Sequence, residues 1–195
     1  AVVPMATEST CAIAASYEAK AYGVKTGTKI YEARRKCPHL QCVPARHDIY
    51  VRYHHAIISA IARHLPINKI WSIDELSSRL PPARRNEDAA RDIAIRTKKQ
   101  IWEDVGPAIN CSIGVAPNAF LAKVATDLQK PDGLVLLRRQ DLPGPLLELD
   151  LMDLPGINEN MLARLHRCGV RSVEHLWHLP AKQARAIWGS VQGER

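Results

Sequence analysis

From Asp48 the run "DIYVRYHHAIISAIARHL" repeats apolar residues at helical spacing, with Ile49, Tyr53, Ile57, Ala60 and Ile61 on one face. This pattern predicts an amphipathic helix capped by Asp48. A second helix is expected from Asn86, its cap, to about Asp104, with Ala90, Ile93, Ala94, Thr97 and Ile101 facing inward and Arg91, Lys98 and Lys99 outward. A third, "PNAFLAKVATDLQKPDG", starts near Asn118 and stops at Pro-Asp-Gly. Between these helices the period changes. "NKIWSI" and "LSSRL" predict two short strands around Asp74 and Glu75, ended by Pro81 and Pro82; "AINCSIGV" alternates like a strand, and "LVLL" reads as a buried one. Upstream, "CAIAA" is expected to be a strand, followed by two short helices in "SYEAKAYG" and "IYEARRKCPHL". Strands alternating with helices predict a layered sheet covered by helices. After the proline-rich "RRQDLPGPLLEL" only helices are expected, one pair around Pro155-Gly156 and a second around Cys168-Gly169, forming a small helical lobe of its own.

Composition narrows the partners. A chain of 195 residues has room for one or two domains, and its formal net charge of +7 favours a polyanion, nucleic acid first. Aromatic residues are only 5% of the chain and Phe120 is the sole phenylalanine, which argues against a base-stacking sheet and for contacts to phosphate. The cysteines, Cys11, Cys37, Cys42, Cys111 and Cys168, are odd in number and lack a CxxC pair, so neither a disulfide framework nor a zinc site is indicated. His54 and His55 are adjacent, and adjacent helical positions point about 100° apart, a poor arrangement for sharing one metal. No apolar run approaches the ~20 residues that span a bilayer. A reduced, cytoplasmic location away from membranes is expected.

Two motifs carry candidate chemistry. Asp74 and Glu75 place hard oxygen ligands together at the end of a strand, where they could hold Mg²⁺ beside substrate phosphates. As a dipeptide the pair is uninformative, since Glu87-Asp88 and Glu103-Asp104 occur in the same chain, and a solvated turn is the competing reading. In "LPGIN", Pro155 and Gly156 make a tight turn before a helix starting near Asn158, whose free N–H groups could bind a phosphate supported by Arg164, His166, Arg167 and Arg171. This resembles a helix-hairpin-helix with Ile157 retained and Asn158 in place of the second glycine; asparagine tolerates a left-handed backbone.

Taken together, "SYEAKAYGVKTGTKIYEARRKCPHL", "SIDE" at 72–75, "CSIGVAPNAFLAKVATDLQKPDG" and "DLPGIN" resemble, in order and spacing, the Y-family or translesion DNA polymerases of the DinB and UmuC type. The resemblance implies an α+β fold: fingers over 1–46, a ferredoxin-like palm over 47–138, and a thumb with its helix-hairpin-helix over 139–195. It implies template-directed transfer of a nucleotide from dNTP to a primer 3′-hydroxyl across damaged DNA, with two Mg²⁺ ions. Asp74 and Glu75 take the catalytic and metal-binding positions. Tyr17, Lys20 and Lys130 take the triphosphate positions, and Pro155, Gly156, Ile157, Asn158, Arg164 and Arg167 the DNA-binding ones. Lys20 stands where the family has arginine, which keeps the charge but loses the bidentate fork.

Other departures are expected to matter. Leu76, Ser77, Ser78 and Arg79 follow "SIDE" where an aromatic residue and Leu-Asp are usual. The family's first motif, Asp-x-Asp on an N-terminal palm strand, and its C-terminal little finger fall outside these residues. Little or no extension by the 195 residues alone is therefore expected, together with an exposed sheet edge. Primer-template DNA and dNTP are the expected partners, and a sliding clamp or repair protein would engage through the regions outside. The competing function is a non-catalytic, polymerase-like DNA-binding accessory subunit. Asp74, Glu75 and Lys130 speak for the enzyme, whereas Lys20 and residues 76–79 speak for the subunit.

Overall fold

The computed structural model describes residues 1–189. The chain divides into two compact units, Ala1–His55 and Ala56–Arg195. Within the first unit, β1 (Val2–Val3) pairs in parallel with β2 (Val43–Pro44), and α1 (Tyr17–Ala21) and α2 (Ile30–Lys36) lie between them in sequence. Ser16 caps α1 by accepting the Ala19 N–H. Two small cores result, one of Val3, Ala12 and Ile30 and one of Ala19, Val24, Ala33 and Leu40. The expected strand "CAIAA" is absent as a strand: Cys11 and Ala14 each make a single bridge, to Lys29 and Val2. Its small side chains offer little cross-strand contact to extend the pairing.

Helix α3 (His47–Ala62) carries the boundary between the units. It begins at His47, so Asp48 lies in its first turn, where its charge favours the helix dipole, and is not the cap. Only Ala60 and Ile61 are buried on it, and Tyr53 is 43% exposed, so the predicted apolar face is covered only toward its C-terminal end. There Ala60 and Ile61 pack with Ile101, and Ile57, Ile67 and Leu76 close around them.

In the second unit β3 (Ile67–Ile70) and β4 (Leu76–Ser78) form an antiparallel hairpin. Helix α4 (Glu87–Val105) follows, capped by Asn86, and buries the five residues its periodicity named. Strand β5 (Ile113–Val115) pairs in parallel with β6 (Leu134–Leu136) through α5 (Ala119–Leu128), which Asn118 caps. The strand residues of β6 are half-buried and Leu137 beyond them is buried. Among the described residues the strands form three separate pairs, not one ferredoxin-like sheet. A continuous sheet would need backbone hydrogen bonds joining the β3–β4 pair to the β5–β6 pair.

The remaining helices are α6 (Gly144–Leu147), α7 (Glu159–Arg167), α8 (Val173–Trp177) and α9 (Ala181–Trp188). They do not bury a core apart from α5. Leu121, Val124 and Ala125 of α5 join Leu146, Leu165, Val173 and Ile187 in one cluster, since the apolar stripe of α5 faces them. No helix among the described residues is long and apolar enough to cross a membrane.

Lys98, expected to face solvent, instead staples α4 to the turn before β6. Its ammonium donates to the Cys111 carbonyl at 2.6 Å and to the Asp132 carbonyl and carboxylate at 2.8 and 2.5 Å, and its side chain is only 20% exposed. Asp132 itself sits at φ 58, a conformation aspartate tolerates. Lys98→Met keeps the stem and removes the donors, leaving two carbonyls short of a partner. The expected loss is about 2 kcal/mol, a melting temperature about 4–8 °C lower; an unchanged melt would rule out the staple.

Candidate functional site

The turn between β3 and β4 carries Asp74 and Glu75, and local hydrogen bonds fix its shape. The N–H groups of Trp71 and Ser72 both donate to the Glu75 carbonyl, at 2.9 and 3.1 Å. The Ser72 hydroxyl donates to Asp74 Oδ1 at 2.6 Å and accepts the Asp74 N–H at 3.3 Å. Both carboxylates are exposed. On the flank of the turn, the Trp71 indole donates to Ser77 Oγ at 3.0 Å, and the Lys69 ammonium lies 3.6 Å from the Trp71 ring centroid.

Helix α5 brings to this turn two charges, Lys123 and Asp127, that the sequence did not single out. Lys123 Nζ donates to Glu75 Oε1 at 2.6 Å and lies 3.3 Å from Asp127 Oδ2; Asp127 in turn holds Lys130 Nζ at 2.5 Å. Glu75, Lys123, Asp127 and Lys130 thus form a chain of alternating charge. Burial on its own would lower the Lys123 pKa, but its hydrogen bond to Glu75 and the carboxylates of Asp127 and Glu75 raise it above the ordinary lysine value. The i, i+4 spacing of Lys123 and Asp127 on α5, with Lys130 two residues beyond its end, was legible in the sequence. The Glu75 contact was not, because it closes across 48 residues.

The donor set suits a hard divalent cation. Two adjacent, solvent-open carboxylates match Mg²⁺, which is commonly held by one or two carboxylates with substrate phosphates and waters completing the shell. Among the described residues no group of three or more His, Cys, Asp or Glu could hold a metal. Asp74 and Glu75 would be the ligands here, with Lys123 already on one Glu75 oxygen. A cavity of about 360 Å³ beside Asp127 is lined by Val124, Leu128, Leu149 and a second carboxylate, Asp153. Its sign is wrong for a polyphosphate.

The other expected residues fall in two further places. In the first unit, Tyr17 and Lys20 stand one turn apart on α1, with the Lys20 ammonium 4.5 Å from the Tyr17 ring centroid; both side chains are exposed. In the second unit, Pro155 and Gly156 form the turn before α7, with Gly156 at φ 90 and the Ile157 N–H bonded to the Leu154 carbonyl at 3.1 Å. Ile157 is buried and anchors the turn in the core of α5 and α7. Asn158 does not take the left-handed backbone expected of a glycine substitute. It is extended at φ −102 and ψ 177, and its side chain caps α7 by accepting the Met161 N–H at 3.0 Å. Asparagine is among the preferred capping residues, and this use of the side chain settles its conformation. Arg167 is exposed, whereas Arg164 donates to the Ile187 carbonyl at 2.9 Å, which commits part of its guanidinium to the end of α9.

Comparison with known proteins places the chain among relatives. The family described as impB/mucB/samB matches residues 1–127. DNA polymerase IV of Moorella thermoacetica is 38% identical over 187 residues, covering 95% of this chain and 46% of that protein. DNA polymerase IV of Vibrio cholerae is 32% identical over 193 residues, covering 95% of this chain and 52% of that one. The crystal structure of DinB from Sulfolobus solfataricus superposes with a TM-score of 0.83 at 29% identity, over 98% of this chain and 56% of that one. An insertion ternary complex of Dbh DNA polymerase gives 0.84 at 28% identity with the same coverage. The chain spans about half the length of the curated relatives it matches.

Proposed function

This chain belongs to the impB/mucB/samB family of Y-family DNA polymerases, and from that premise we propose that it carries the nucleotidyl-transfer site of a translesion DNA polymerase. A primer 3′-hydroxyl attacks the α-phosphate of an incoming dNTP; the O3′–Pα bond forms as the bond to the bridging α,β-oxygen breaks, and pyrophosphate leaves. The carboxylate pair at the β3–β4 turn is the observation that carries this reading. Asp74 is held by Ser72 and Glu75 by Lys123, both open to solvent. Asp74 and Glu75 would hold Mg²⁺, two ions in the complete enzyme by family resemblance, which when bound supplies charge neutralisation at the reacting phosphate.

The cations have separate tasks. Lys130, on the Gln-Lys-Pro turn after α5, is assigned to the triphosphate, as are Tyr17 and Lys20 of the first unit. Lys20 sits over an aromatic face and is pinned there more firmly than a solvated lysine. The turn of Pro155, Gly156, Ile157 and Asn158, with Arg167, is assigned to the DNA backbone. Since the Asn158 side chain already takes the Met161 N–H, phosphate contacts fall to the other N–H groups of the first turn of α7. We place the fingers over 1–46, the palm over 47–138 and the thumb over 139–195, and expect a cytoplasmic protein acting on primer-template DNA.

The test is single-nucleotide incorporation by the full-length protein on a primer-template offered one dNTP at a time. Extension by the dNTP complementary to the template base, abolished by chelation of divalent ions, is expected. DNA binding with no incorporation of any dNTP would overturn the enzyme reading in favour of an accessory subunit.

A further inference from the structure

Lys123 is placed to do more than neutralise its surroundings. Its side chain is 33% exposed, so its ammonium is partly withdrawn from water and its attraction to Glu75 is only partly screened. At 2.6 Å from Glu75 Oε1 it takes one of the two oxygens of a carboxylate that a divalent cation would also use. It has an alternative acceptor within reach, Asp127, at 3.3 Å from Oδ2 and 3.4 Å from Oδ1, and Oδ1 is engaged at 2.5 Å by Lys130. Two lysines therefore share Asp127 and meet at its Oδ1, and one of them also competes with a metal ion for Glu75. Removing Lys123 from Glu75 would strengthen its claim on Asp127 and weaken that of Lys130.

Resting on the proposed polymerase site, we infer that Lys123 is a positioning residue, a resident counter-cation that holds Glu75 until a divalent ion replaces it. It then passes to Asp127 and frees Lys130 for the triphosphate. The exchange conserves charge pairing at each step: Glu75 trades an ammonium for the ion, and Asp127 trades one ammonium for another. It ties metal arrival to triphosphate capture through one end of α5, with Lys123 and Asp127 on the helix and Lys130 on the turn that follows. A purely structural lysine at this place would stabilise the α5-to-hairpin contact without opposing metal binding.

The experiment is a Mn²⁺ titration of the nucleotide-free full-length protein, followed by electron paramagnetic resonance, with melting curves recorded for each variant. Lys123→Gln, and Lys123→Met which keeps the apolar stem, are expected to tighten Mn²⁺ binding about five-fold by removing a competing cation. Asp127→Asn is expected to shift it the other way by a similar factor, because Lys123 then has Glu75 as its only carboxylate partner. Lys123→Arg should stay near the parent protein. Mn²⁺ affinity unchanged or weakened in a folded Lys123→Gln or Lys123→Met protein would overturn the inference, as would Asp127→Asn and Lys123→Gln shifting in the same direction. Asp74→Ala serves as the control for the site: if it leaves Mn²⁺ binding intact, the metal-site reading fails, whatever the Lys123 variants do.

Discussion

Asp74→Ala in the full-length protein is expected to slow single-nucleotide incorporation about a thousand-fold, the equivalent of about 4 kcal/mol of lost charge stabilisation. Affinity for primer-template DNA should stay within about two-fold, because the side chain is exposed and lies outside the residues assigned to the DNA backbone. The fold should be indifferent. Asp74 receives one short hydrogen bond, from Ser72, and the turn remains closed by the Trp71 and Ser72 N–H bonds to the Glu75 carbonyl. Loss of that exposed bond costs about 0.5 kcal/mol. Rapid-quench incorporation and fluorescence anisotropy on the same preparation separate chemistry from binding. Incorporation above a tenth of the parent rate would remove Asp74 from the site. Glu75→Gln is a harsher change of context, since it also releases Lys123, and its effect on rate therefore mixes ligand loss with rearrangement of the α5 charges.

The sequence made the long helices legible because they are long and capped. Helix α4 presents five turns of periodic apolar residues after Asn86, so its buried set could be named residue by residue. Helix α3 had an equally clear stripe, yet Tyr53 is half-exposed, because periodicity says which residues share a face and not how much of that face a neighbour covers. The strands were harder. With two to four residues each, they offer too few alternations to fix pairing, and "CAIAA" proved to be a pair of isolated bridges. At the site, the carboxylate pair and its strand approach were legible, and so was the spacing of Lys123 and Asp127 on α5 with Lys130 just beyond it. What joins them is a tertiary contact between α5 and the hairpin, and no local pattern encodes it. Asn158 teaches the same point at smaller scale: two conformations were open to it, and the free N–H of Met161 selected the capping one.

That dependence of the site on the seat of α5 makes Gly114 a position where the fold and the site fail together. Gly114 lies in β5 under α5, and a methyl group there would overlap the Ala122 carbonyl oxygen and come within 2.6 Å of the Thr126 N and 2.8 Å of its hydroxyl oxygen. These are largely backbone atoms, and Thr126 already binds the Ala122 carbonyl at 2.9 Å, so no flexible side chain can yield. Gly114→Ala must therefore lift α5 from β5 or bend the strand, at an expected cost of about 3 kcal/mol and a melting temperature about 6–12 °C lower. Gly144→Ala, where a methyl group meets open space, is the matched control and should melt like the parent. The displacement also reaches the chemistry. Lifting α5 by even an ångström shifts Lys130, on the turn that follows it and assigned to the triphosphate, relative to the Asp74–Glu75 turn, so Gly114→Ala protein kept folded at low temperature should lose incorporation as well as stability. A Gly114→Ala protein with parental melting and parental incorporation would mean that the close seat of α5 on β5 neither stabilises the fold nor positions the site.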